Sequence, residues 1–198
     1  MFTRGFRILA LISAFALVMG VQTVSGAEPS ASGENPVRFT LGADLGLSFL
    51  HSTQGGEDRT VLAWPSNVSS YLPGFRIGIL AGRSMEHQVC LKTGFISISD
   101  GGSFHIMSFT GNYQYAFPME GTVSPYLTAG LGLINVGGDG EGETTPMYGG
   151  GVGARFLVAE SHGALHVEAR FDHVSEGNTT IDSANIVSIQ FGFDLWVQ

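Results

Sequence analysis

Apolar and polar residues alternate with a period of two along most of this chain. From Val37 to Phe49 every odd position is apolar, whereas the even positions are Arg38, Thr40, Gly42, Asp44, Gly46 and Ser48. Successive side chains of a strand point to opposite faces, so such a segment has one apolar face and one polar or small face. The pattern recurs over residues 71–83, 89–95, 107–117, 125–133, 148–158, 165–173 and 185–197. It predicts eight strands and no amphipathic helix in this region. The connections alternate in length. Residues 84–88, 118–124 and 159–164 read as short turns, and residues 50–70, 134–147 and 174–184 as longer polar loops. In 96–106 the parity breaks at Ile96 and Ile98, which marks a bulge or a strand end.

A soluble sandwich also alternates, with its apolar face inward. Here the polar face carries Asp44, Arg76, Lys92, Arg155, Glu168, Arg170, Asp172 and Asp194 at strand positions, four of each sign, among many of the 29 glycines. Balanced charges interleaved with glycine suit a paired interior better than a solvated surface. Aromatic residues near the strand ends fit the girdles of a membrane interface. The predicted fold is therefore all-β: an eight-stranded antiparallel up-and-down transmembrane β-barrel over residues 37–198. An interior of that size is filled by side chains, and Arg155 and Arg170 are expected to pair with Glu168, Asp172 and Asp44 across it.

The N-terminus supplies a compartment. Arg4 and Arg7 precede an apolar run from Ile8 to Val18 and then Ser25-Gly26-Ala27, the form of a signal peptide cut after Ala27. Residues 28–36 read as a flexible lead-in. Removing the signal leaves seven of the 9 Lys+Arg against all 17 Asp+Glu, a formal charge of −10, which argues against nucleic acid as a partner. A single cysteine, Cys90, excludes an intramolecular disulfide and reads as a small interior residue.

The stretches SPYLTAGLGLINVGG, YGGGVGARF and HVEARFDHV resemble the repeats of the small outer-membrane β-barrel superfamily of OmpA/OmpX type. That resemblance implies residence in a bacterial outer membrane, with lipid including lipopolysaccharide as the surroundings. At the C-terminus Gln190, Gly192, Leu195 and Val197 are similar to the last-strand signal read by the barrel assembly machinery, although the chain ends in Gln198 where many members have an aromatic residue. The role this implies is structural or surface-interacting; a narrow pore is a further alternative.

One segment suggests chemistry. RFDHVSEGN, with His173 and Ser175, resembles the Arg-aromatic-x-His-x-Ser-Asn segment of the lipid A 3-O-deacylase (PagL) family. The parity of Leu165, Val167, Ala169 and Phe171 turns both side chains outward, toward lipid. The resemblance implies a serine nucleophile with a histidine base, acting on an ester-linked acyl chain. Glu176 stands where that family has Asn, and Asp182 is the one acid in the following loop able to orient the imidazole. The plainer reading is a strand end. Likewise Asp139, Glu141 and Glu143 in GGDGEGE offer oxygen ligands for Ca²⁺ but read more simply as a solvated tip. Trp64-Pro65 reads as part of a loop. No cofactor is called for.

Overall fold

The computed structural model describes residues 37–54, 57–66, 74–99, 103–138, 141–158, 162–177 and 183–197, with backbone alone for some of the residues near the strand tips. The proposed signal peptide, the lead-in, Asp139, Asp182 and Gln198 lie outside the described residues. Nine strands are present among those residues: β1 (Arg38–Gln54), β2 (Glu57–Ser66), β3 (Gly74–Ala81), β4 (His87–Ser99), β5 (Ser103–Ala116), β6 (Val123–Gly138), β7 (Glu141–Val158), β8 (Gly163–Val174) and β9 (Ala184–Val197). All pairings are antiparallel, and β9 returns to pair with β1 from Phe39↔Val197 to Ser52↔Ala184. The barrel is closed and has eight staves, because β2 and β3 share one. β3 pairs with the lower half of β1 (Arg38↔Leu80 to Asp44↔Gly74), and β2 with its upper half (Gly46↔Ser66 to Gln54↔Glu57).

The stagger of the barrel can be followed residue by residue. The partners of His51 run through Asn185, His173, Tyr148, Leu131, Gly111, Leu91 and Ile77 and return to β1 at Leu41. One circuit therefore slips from position 51 to position 41, the kind of stagger that tilts the strands of a closed barrel.

The alternation predicted from sequence sets the two faces. Phe171 is 52 % exposed and its neighbour Asp172 is 0 %. The outward face carries Phe39, Leu41, Phe75, Ile77, Leu91, Leu131, Phe191 and Leu195, the apolar band that lipid requires. Near one end His87 packs against Tyr113 and Tyr115, the latter ring 5.4 Å away, and Tyr115 meets Phe117 edge-on, as an aromatic girdle. Short turns close that end. In the first, Gly82 adopts φ +100° and the Ser84 amide donates to the Glu86 carboxylate at 2.8 Å.

The other end differs from the sequence expectation. Within 50–70, 96–106 and 134–147 the described residues are strand: the hairpins β1–β2, β4–β5 and β6–β7 continue upward, and Trp64-Pro65 lies in β2. The reason is a change of phase. In β6 the outward residues Leu127, Leu131 and Leu133 give way to Asn135, while the inward series of Thr128, Gly130 and Gly132 gives way to Ile134 and Val136. Alternation persists there with its sign reversed, which a search for one continuous apolar face reads as a loop. β7, at 18 residues, has a contour of roughly 60 Å. That exceeds what an apolar band about 25 Å tall needs, so the staves rise beyond it.

Inward glycines make room for large inward neighbours. A Cβ at Gly153 would lie 2.5 Å from Cζ and 2.7 Å from the hydroxyl of Tyr126, its cross-strand partner. A Cβ at outward Gly111 would meet nothing closer than 3.9 Å. Gly153→Ala should therefore lower stability by about 1–3 kcal/mol, the cost of overpacking, and Gly111→Ala should be near neutral. Urea titration of the barrel in lipid vesicles measures both. Equal effects would contradict the assignment of faces.

Candidate functional site

The interior is the first site that the fold constructs. Asp44 (β1), Arg76 (β3), Lys92 (β4), Arg155 (β7), Glu168, Arg170 and Asp172 (β8) and Asp194 (β9) all point inward, each no more than 3 % exposed. An ion buried this deeply without a partner costs several kcal/mol, so the partners matter more than the count. Arg76 Nε lies 3.1 Å from Asp194 and Nη1 3.5 Å from Asp44. Lys92 Nζ lies 3.1 Å from Asp44 and 3.7 Å from Glu168, and donates to Gln190 Oε1 at 3.3 Å. Arg170 Nη1 lies 3.4 Å from Glu168, and its Nε lies 2.8 Å from Asp172. The sequence Asp194, Arg76, Asp44, Lys92, Glu168, Arg170, Asp172 is thus an unbroken chain of alternating charge. The Tyr126 hydroxyl donates to Glu168 at 3.0 Å, and His166 Nε2 lies 2.7 Å from Asp44.

Arg170 finds Glu168 and Asp172, as the sequence suggested, but on its own strand rather than across the barrel. Arg155 does not join them. It sits opposite His166 near the short-turn end, donates to the Met85 carbonyl at 2.8 Å, and lies over the Trp196 ring at 5.8 Å. Lys92, the hub that joins β4 to β1 and β8, was not singled out as a partner from sequence. Its inward parity was legible, but no local pattern says which strands lie across the interior.

Apolar layers bracket this chain of ions. Above it, Ile134, Met147, Val174, Ala184 and Ile186 pack together with Leu50, Ile106 and Val136. Below it, Leu80, Ala164 and Trp196 pack with Met85 and Leu157. Cys90 is buried, and Arg76 Nη2 lies 3.6 Å from its sulfur.

The second site is the rim. His173 does point outward: its ring centroid is 5.2 Å from that of exposed Tyr148. Its Nδ1 lies 3.0 Å from Asn185 Oδ1 on the facing strand, so Nδ1–H donates and Nε2 is left for other chemistry. Ser175 follows the end of β8. Its amide donates to the Pro146 carbonyl at 2.9 Å, and its own carbonyl accepts from Thr145 Oγ1 at 2.9 Å. Among the described residues no hydrogen bond joins the His173 ring to Ser175. Asn185 went unnoticed in the sequence because its pairing with His173 depends on the β8–β9 register. Of the acidic stretch, Glu141 and Glu143 fall in β7, and no group of three or more His, Cys, Asp or Glu is placed to hold a metal among the described residues.

Similar polar pairs recur around the rim. His51 Nδ1 lies 3.1 Å from Thr60 Oγ1. His105 Nε2 lies 3.0 Å from Asn135 Oδ1, and Asn135 Nδ2 donates to Thr144 Oγ1 at 2.8 Å. Each stands just above the last outward apolar residue of its strand: Phe49 below His51, Leu62 below Thr60, Leu133 below Asn135, Phe171 below His173, Val187 below Asn185.

Known proteins share this architecture. The chain matches the profile of the family described as outer membrane protein beta-barrel domain over residues 12–195. Neisserial surface protein A is similar in structure, with 17% identity and a TM-score of 0.59 over 79% of this chain and 96% of that one. The outer membrane protein AlkL in DMPC bilayers aligns at 11% identity with a TM-score of 0.50, over 88% and 97% of the two chains. Ail of Yersinia pestis, in complex with the heparin analogue sucrose octasulfate, aligns at 15% identity with a TM-score of 0.45, over 83% and 99%. No curated protein matches the sequence. At these identities the likeness is one of fold.

Removing Arg170 takes from Asp172 the cation 2.8 Å away, while Glu168 keeps Lys92 and Tyr126. Arg170→Ala should destabilise the barrel by about 3–5 kcal/mol, the range for breaking a buried pair. Ala169→Leu, on the outward face beside it, should be close to neutral. Unfolding in lipid vesicles gives both values, and equal tolerance would count against the interior role of Arg170.

Proposed function

The chain belongs to the outer membrane protein beta-barrel domain family, and from that membership we propose a non-conducting barrel with a structural and surface-interacting role in the outer membrane. The observation that carries this reading is the alternating ion chain held between two apolar layers. Long charged side chains occupy the interior of a barrel only eight staves round, and such a barrel has little volume beyond its own side chains. The apolar layers keep water from the ion pairs, which are stronger where water is excluded. The tall hairpins, at the end opposite the start of β1 and the finish of β9, then form the surface offered to partners.

In planar bilayers the purified barrel should give no stable unitary conductance steps at neutral pH. Steps of reproducible size would favour the narrow-pore reading instead.

A second reading rests on the clasp between His173 and Asn185. An imidazole whose Nδ1–H is held by Asn185 Oδ1 keeps Nε2 free to take the proton of Ser175 as its oxygen attacks an ester carbonyl. The proton would then pass to the departing alkoxide, leaving an acyl-serine for water to hydrolyse. The outward position suits an ester-linked acyl chain of lipid A. Under this reading His173→Ala or Ser175→Ala abolishes acyl release while the barrel still folds. Asp182→Asn lowers the rate only if that loop acid takes part. Mass spectrometry of lipid A from cells with and without the chain decides the point: identical acylation leaves the pair as part of the rim alone.

A further inference from the structure

The outward face of the described strands carries no permanent positive charge. No lysine or arginine occupies an outward strand position among the described residues; Arg38, Arg59 (in register with Ser52), Arg76, Lys92, Arg155 and Arg170 all follow the inward parity. The outward residues that can become cationic at the upper boundary of the apolar band are His51, His105 and His173. Each rests one ring nitrogen on a neutral oxygen, of Thr60, Asn135 and Asn185 respectively. The second nitrogen of each ring remains for a ligand. The level is fixed by the strands themselves, since Phe49, Met107 and Phe171 lie two residues below on the same face. At that level in a bilayer the surroundings are lipid headgroups.

We infer that this rim is a headgroup-binding collar, in which the three histidines, when protonated, grip phosphate-bearing lipid headgroups of the outer leaflet. The inference rests on the surface-interacting role proposed above and names its partner. Histidine is the side chain that ordinarily changes charge between about pH 5 and 8, so the grip strengthens on acidification. His51 has Thr60 and Asn185 opposite it, His173 has Tyr148 and Asn185, and His105 has Ser97 and Gly137. Among the described residues the charged side chain nearest in register on that face is Asp58, diagonal to His51. A phosphate monoester matches the collar because it offers several acceptor oxygens to ring N–H groups and to the amide of Asn185.

The test uses the folded chain in phosphatidylcholine vesicles with and without phosphatidic acid, at about pH 5.5 and about pH 8, followed by native mass spectrometry of retained lipid. Phosphatidic acid should be enriched at the lower pH, by roughly fivefold for each protonated imidazole, the factor one cation contributes beside an anionic surface. The enrichment should vanish at the higher pH. It should also vanish in the His51→Gln, His105→Gln, His173→Gln variant, whose folding is checked by its heat-modifiable migration on gels. If the triple variant does not fold, each single variant should lose part of the enrichment. Enrichment that is independent of pH, that survives in the variants, or that inorganic phosphate displaces at equal concentration would overturn the collar. The conductance measurement is unaffected by any of these outcomes, so a failure of the collar and a failure of the non-conducting reading are separable.

Discussion

The rest of this structure depends on the backbone pairing of β1 with β9. In hydrocarbon there is no water to satisfy a free N–H or C=O, so a sheet that crosses a membrane must have no edge. The pairing from Phe39↔Val197 to Ser52↔Ala184 removes the edge over nearly the whole length of both strands. Once the wall is closed, the period-two alternation sorts every side chain into one of two environments. A residue on the outward face meets lipid, and its neighbour in sequence meets the interior. The stagger along the circuit from His51 to Leu41 then determines which inward residues share a level.

Closure also explains why the interior is ionic rather than apolar. In the membrane the solvent outside is already hydrocarbon, so burying further apolar side chains gains little there. Paired charges cross-link staves that are distant in sequence. Lys92 on β4 reaches Asp44 on β1 and Glu168 on β8, and Arg76 on β3 reaches Asp194 on β9. These contacts need space that small residues provide. At Gly192 a Cβ would come within 2.5 Å of His166 Nε2. The abundant glycine is thus the counterpart of the long charged side chains.

Above the apolar band the same strands pass into water, and the logic inverts. Polar residues such as Asn135 and Thr144 turn outward, and Ile134, Val136 and Met147 turn in. The upper part of the wall is built like a water-soluble β-protein, with an apolar centre and a hydrogen-bonded surface. The rim of His51, His105 and His173 with their partners Thr60, Asn135 and Asn185 lies at the crossover.

The sequence by itself determined the period, and with it the class of fold, the facing of each residue from Val37 to Phe49, and the outward direction of His173. These are local properties: a strand's two faces follow from its backbone geometry alone. The charge balance of the inward face was legible for the same reason. Three matters were decided only by the tertiary structure. The upper hairpins were hidden because their alternation reverses phase, and the reversal makes sense only once the level of the membrane is known. Arg155 turned to Met85 and Trp196 instead of to a carboxylate because the stagger places it near the short-turn end. Asn185 came to hold His173 because the β8–β9 register sets them opposite one another. In the last two cases the deciding quantity is register, which arises from how separate strands slide past one another as the barrel closes, and no single strand carries it.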